Sequence, residues 1–264
     1  NYSTTLEAAD AFVLKGATLF AFWHGHPHRP TEYIDLLGKA VGVDILTSIF
    51  RDVCSVAASD PIIFDAEGIR VMDIRVGLGF EVHRDIFSGH IGRTRVRCQF
   101  DVGYGDSVHP PPERVSPPSL LGDPTATMLA YRPETVVAEK LHAIVVHGER
   151  NTRFKDYFDL DYISRHTEFD FAALRGAVIA TFHVRRTTLV AELPPGLGDT
   201  YAISPSSIRG WSARLRSSGI DGAPEFRRIV ERIRGLVLPV LALPGTSISP
   251  PPLLRTWNPE SAWR

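Results

Sequence analysis

Hydrophobic residues change their period along this chain. In VRCQFDVGYGD, Val96, Cys98, Phe100 and Val102 alternate with Arg97, Gln99 and Asp101, which predicts a strand with one apolar and one polar face. Ile69 to Val76 and Leu78 to Phe87, separated by Gly77 and Gly79, predict an antiparallel pair of strands. A mixed sheet is therefore expected between Thr31 and about Val108. The opening LEAADAFVLKGATLFAFWHG is apolar on most faces and predicts a buried helix that carries Gly16 in its middle and ends near Gly25.

Beyond the middle the period lengthens. Pro133 suits a first helical turn, Glu134 complements its positive end, and Val137, Leu141, Ile144 and Val145 recur at helical spacing until Gly148. Further helices are predicted from about Phe154 to His166, from Phe171 to Phe182 with Leu174, Val178 and Ile179 on one stripe, and from Pro224 with Phe226, Ile229, Val230, Ile233 and Leu236 facing inward. A Pro-rich tail follows, in which Trp257 and Trp263 are expected to seal the chain end onto the body. Between the two regimes lies HPPPERVSPPSLLGDP, which holds six of the chain's twenty prolines and reads as a semi-rigid connector without regular structure. The expected fold class is α+β, with a small mixed sheet and flanking helices in residues 1–124 and a helical domain in residues 125–264.

Composition changes this picture little. Of 264 residues, 44% are hydrophobic and 22% charged, which matches a folded globular chain and excludes a mostly disordered one. The formal net charge of −1 gives no global attraction to nucleic acid or membrane, so an anionic partner needs a local basic patch. Cys54 and Cys98 lack the paired spacing of a zinc site, and a reducing compartment with no disulfide is expected. Neither apolar stretch, Ala11 to Trp23 or Leu236 to Leu243, is long enough for a membrane span, and no secretory signal is visible. The start at Asn1 rather than Met predicts a truncated first element.

Three places could carry chemistry. Asp35 follows Arg29 and Thr31 at a predicted strand start, where the plain alternative is a turn residue or surface charge. Asp101 projects from the polar face of its strand, where a solvated carboxylate is ordinary. Two such carboxylates converging from neighbouring strands would need a cation, and Mg²⁺ held by carboxylates and substrate phosphates is the common solution. Glu139, Lys140, Arg150, Arg153, Lys155, Asp156 and Asp159 crowd into two adjacent helices. They read either as an ion-pair seam or as a phosphate site at a helix entrance.

The motifs LKGATLF, RPTEYIDLLG, QFDVGYGD, ETVVAEKLHAIV and NTRFKDYFDL occur in this order from Leu14 to Leu160. Together they resemble the AbiEii/AbiGii toxin family of nucleotidyltransferases. The resemblance implies a nucleotidyltransferase-like domain followed by a helical domain, and a toxin paired with a cognate antitoxin. It also implies NTP and Mg²⁺ as substrate and cofactor, an RNA acceptor such as the 3′ end of tRNA, and a cytoplasmic location. In the family pattern, nucleotide-binding positions fall on Lys15, Gly16, Arg29, Thr31, Arg153 and Lys155, with Ala17 where a second Gly is common. Metal-binding positions fall on Asp35 and Asp101; the catalytic set is Asp35, Asp101, Lys140 and Asp156, with Asp159 a structural partner. Tyr33 departs from the pattern, because the family has an Asp two residues before the one retained as Asp35. The resemblance therefore implies either a working nucleotidyltransferase or an impaired member that binds nucleotide, RNA or antitoxin; a purely structural seam is the remaining reading.

Overall fold

The computed structural model describes residues 10–38, 42–56, 61–76, 80–118, 127–189, 192–242 and 256–264. They fall into two compact units, residues 1–106 with 112–130 and residues 107–111 with 131–264. The first contains β1 (Phe12–Lys15), α1 (Leu19–His24), β2 (Ile34–Gly38), α2 (Val43–Cys54), β3 (Ile62–Phe64), β4 (Arg70–Val76), β5 (Phe80–Ile91), β6 (Thr94–Gly103), β7 (Glu113–Val115) and β8 (Met128–Ala130). The sheet runs β3-β5-β6-β2-β1-β8-β7, with β4 also on β5. It is mixed, as expected: β2 on β6 and β1 on β8 are parallel, and the other pairings are antiparallel.

β6 and the β4–β5 pair form where the pattern expects them, but of the expected apolar face of β6 only Val102 is buried and Val96 is exposed; the Gly77–Gly79 turn lies outside the described residues. The opening does not follow the pattern. Where one long helix was expected, Phe12 to Lys15 form a strand and a helix of one and a half turns begins at Leu19. Gly16 makes the break, at φ 77°, a left-handed conformation that costs glycine little. The helix α2 was not expected either. It buries Leu46, Phe50 and Cys54, one residue per turn, and Phe50 meets the rings of Phe12, Phe87 and Phe100 at 5.9, 6.2 and 5.3 Å. The Pro-rich connector also holds a short strand, β7, paired with β8.

The second unit holds α3 (Pro133–His147), α4 (Phe154–His166), α5 (Phe171–Val184), α6 (Asp199–Ile203), α7 (Pro205–Ser217) and α8 (Phe226–Leu241). The strands β9 (Phe169–Asp170), β10 (Thr256–Asn258) and β11 (Ala262–Trp263) form a small sheet in the order β11-β10-β9. Pro133 opens α3 and Gly148 closes it, as predicted from the sequence. Leu174, Val178 and Phe182 form the buried stripe of α5, whereas Ile179 is exposed rather than inward. Pro239 lies inside α8 without ending it. Trp257 does seal the tail onto its unit: it is buried, its Nε1 donates to the Ser164 carbonyl at 2.9 Å, and its ring meets that of Trp263 at 5.9 Å.

The packing makes two points testable. Trp257→Ala should cost roughly 3–5 kcal/mol by urea unfolding, and a loss below about 1 kcal/mol would show that the tail contributes no packing. The second concerns Asp85, which is fully buried on the side of β5 that carries His83 and Phe87. Neither of its oxygens has a hydrogen-bond partner among the described residues. Burial, and then the nearby Asp101 charge, pushes its carboxyl up to about 7. Unfolded, the group ionises near pH 4, so stability linked to it is full below about pH 4 and lost as pH rises to about 7. Asp85→Asn should remove that loss, gaining on the order of 4 kcal/mol at pH 8 relative to its effect at pH 4. Unfolding curves at the two pH values check this, and equal shifts would refute it.

Candidate active site

In the first unit β1, β2, β6 and β5 lie side by side, and one transverse row reads Lys15, Asp35, Asp101, Arg84. Directly opposed residues share a face of the sheet, and neighbouring strands are about 4.8 Å apart. Two carboxylates thus stand beside each other with a cation on either flank. The local sequence explains the row. β6 keeps one unbroken register with β5 from Thr94 to Gly103, and the alternation that puts Val102 in the core puts Asp101 on the other face. The parallel pairing of β2 then brings Asp35 to the same level.

Each carboxylate has a distinct setting. Arg84 forks onto Asp101, with Nε donating to Oδ1 at 2.8 Å and Nη2 to Oδ2 at 2.7 Å, and Gln99 Nε2 adds a longer contact of 3.3 Å. These bonds outweigh partial desolvation and raise the guanidinium above its ordinary value, with the neighbouring Asp101, Tyr33 and Asp35 adding to the effect. Asp35 packs against the backbone of Gly16: a Cβ there would lie 2.0 Å from Asp35 Oδ2. Only glycine fits, for both space and φ. Lys15 Nζ donates to Asp106 Oδ2 at 2.9 Å, over Gly103, where a Cβ would come within 3.5 Å of the ammonium.

Lys15, Gly16, Asp35 and Asp101, all expected from the sequence, are therefore brought together. Tyr33 lies two residues before Asp35 and close enough to act on Arg84. Thr31 is exposed and donates to the Tyr33 carbonyl at 3.0 Å, and half-buried Arg29 donates to the Pro30 carbonyl at 3.2 Å. The resemblance implies a divalent ion at Asp35 and Asp101, and the donor set does not fit a resident one. Both Asp101 oxygens accept from Arg84, Tyr33 offers a phenol where a carboxylate is required, and no group of three His, Cys, Asp or Glu suited to a metal occurs among the described residues. The cation beside Asp101 is a side chain.

The other candidates form a cluster within the second unit. Lys140 of α3 donates to Asp156 Oδ1 at 3.0 Å and pairs with Asp159 Oδ2 at 2.7 Å, both carboxylates being buried one turn apart on α4. Arg153 Nε reaches Asp156 Oδ2 at 2.6 Å, and its backbone N–H donates to Asn151 Oδ1 at 2.8 Å. Burial pushes the Asp156 carboxyl up, but Lys140 and Arg153 outweigh it and hold the group below its ordinary value. Lys155 is half-buried in the first turn of α4. The charges of Lys140 and Arg153 are thus matched inside the unit.

Sequence reasoning missed Arg84 and left Asp106 without a role. The first has no local signal, since its partner lies 17 residues away on another strand. Asp106 stands in the quoted GYGD turn, but only the fold brings it to Lys15, 91 residues earlier.

Comparison with known proteins gives these features a family. No curated protein matches the sequence. The fold is similar to the crystal structure of JHP933 from Helicobacter pylori, with TM-score 0.52 and 13% identity over 88% of this chain and 87% of that one. It is also similar to a chain described as a "putative nucleotidyltransferase" from H. pylori, with TM-score 0.50 and 14% identity over 88% and 90% of the two chains. The model of the nucleotidyl transferase AbiEii toxin, type IV toxin–antitoxin system, matches residues 4–232. The chain belongs to the AbiEii nucleotidyltransferase toxin family.

Proposed function

We propose that the chain is the toxin of a toxin–antitoxin pair and transfers a nucleoside monophosphate from an NTP to the 3′-hydroxyl of an RNA, with tRNA the acceptor implied by the resemblance. The row Lys15, Asp35, Asp101, Arg84 carries this reading, because it gathers the first unit's strongest candidates on one sheet face. Mg²⁺ enters with the nucleotide, as the Mg·NTP complex, and Asp35 and Asp101 would position that complex at the reacting phosphate rather than hold an ion beforehand. The acceptor oxygen bonds to the α-phosphorus, the α–β anhydride bond breaks, pyrophosphate leaves, and the hydroxyl proton passes to water. Lys15 and Arg84 offset charge on the triphosphate, and Gly16 leaves the space in which Asp35 packs beside it. Arg29 and Thr31 border the nucleotide. Lys140, Arg153 and Asp156 fix the α3–α4 pair of the second unit, with Lys155 at its edge. NTP, RNA and an antitoxin meet in the cytoplasm; no helix among the described residues is long and apolar enough to cross a membrane.

One observation favours a second reading. Tyr33 removes a carboxylate, and Arg84 occupies both oxygens of another, so an impaired member would bind nucleotide, RNA or antitoxin without turnover. Transfer of each of four radiolabelled NTPs to total tRNA separates the two. The first reading expects incorporation by the wild-type chain and a fall of roughly 10²–10³-fold in Asp101→Ala and Asp35→Ala. Incorporation only after Tyr33→Asp, with ATP raising the melting temperature of the wild type by linkage, would establish the second.

A further inference from the structure

The hairpin of β5 and β6 carries a basic arm that the nucleotide site does not use. Because β6 keeps one register without a bulge, Arg95, Arg97, Gln99 and Asp101 fall on one face. At about 3.4 Å per residue, Arg97 and Arg95 stand roughly 14 and 20 Å from Asp101 along the strand. Arg93 continues the line in the turn, beside Gly92 at φ 58°. Every residue from Ile91 to Arg97 is exposed. Arg95 Nε is steadied by Ser88 Oγ at 2.9 Å, which leaves the rest of its guanidinium facing outward. From Ile86 to Phe100 the sequence contains His90 and three arginines and no Asp or Glu. No carboxylate pairs with these arginines among the described residues. With a net charge of −1, the chain offers a polyanion no general attraction, so this arm is a local exception.

We propose that this arm is the docking track of a single RNA strand, which lies along β6 with its 3′ end at the Asp35–Asp101 pair. The inference rests on the transferase reading above. Arginine forks match phosphate oxygens, and a line of them suits a chain of phosphates. The end of the track sets the polarity. The transfer proposed above needs the terminal 3′-hydroxyl, and no phosphate, at the Asp35–Asp101 pair, so the strand must stop there. An acidic peptide could also meet the arginines, but it has no terminal hydroxyl to offer the transfer site, and a polyglutamate control separates the two.

The test is fluorescence anisotropy of a short fluorescein-labelled single-stranded RNA across a salt series. Arg95→Gln/Arg97→Gln should weaken binding about tenfold or more and flatten the log–log salt slope by about 1.4, at about 0.7 for each phosphate that an arginine no longer neutralises. Arg95→Lys/Arg97→Lys should keep most of the slope, and the same RNA ending in a 3′-phosphate should bind several-fold more weakly. The melting temperature and its rise with ATP should be unchanged in all variants. Absent RNA binding by the wild type, an unchanged slope in the Gln variant, or loss only of polyglutamate binding would overturn the track; equal binding of the 3′-phosphate RNA would overturn its polarity. A flattened slope in a protein that transfers no label would leave the track standing and sink the transferase reading.

Discussion

The parallel register of β2 on β6 is the constraint from which the candidate site follows, because it stands Asp35 beside Asp101 at the spacing of adjacent strands. Like charges so placed disfavour each other's ionisation unless cations compensate. The fold supplies both cations from the same row: Lys15 from β1 on one flank and Arg84 from β5 on the other. The row is electrically closed before any ligand arrives. That closure explains why Arg84 forks so tightly on Asp101, and why Lys15 is steadied by a further carboxylate, Asp106, rather than left to wander. A triphosphate would enter a site whose cations are already aligned, and its binding would require them to share those bonds.

The second unit solves a related problem in the opposite environment. Asp156 and Asp159 are buried one turn apart, and a charge taken so far from water is tolerable only when paired. Lys140 bridges both and Arg153 takes the remaining oxygen of Asp156. Removing the lysine would leave Asp156 to Arg153 alone and take an ion pair from the buried Asp159, so the lysine stabilises the unit whatever chemistry it serves. A motif rich in charge can therefore be read as a phosphate site from sequence when its first obligation is to itself.

What was legible in the sequence divides along the range of the interactions. The helix α3 was readable because its ends carry local signals, Pro133 and Gly148; α4 was expected over the right residues, although its burial runs unbroken from Asp156 to Asp161 rather than along one stripe. The polar face of β6 was readable from its alternation. β1 was not, because Phe12 to Lys15 sit in a run that is apolar in every phase, and only Gly16 betrays the break. α2 was hidden among strand-like residues, its buried face resting on just Leu46, Phe50 and Cys54. Within the site, Asp35 and Asp101 were visible as members of motifs. Arg84, Asp106 and the buried Asp85 acquire meaning only from strands brought together at long range, which no local pattern encodes.

The small sheet of the second unit carries a consequence for the order of events during synthesis. β9 lies between α4 and α5, yet its partner β10 arrives 86 residues after Asp170, at Thr256. A ribosome adding about 5–20 residues per second needs on the order of ten seconds to cover that distance. Throughout this interval Phe169 and the Ser164 carbonyl wait for Trp257. For a chain of a toxin family, the helical unit is thus closed by residues made well after its first helices, and the nascent protein passes through a stage in which its sheet unit is complete while its helical unit is still open to whatever else is present.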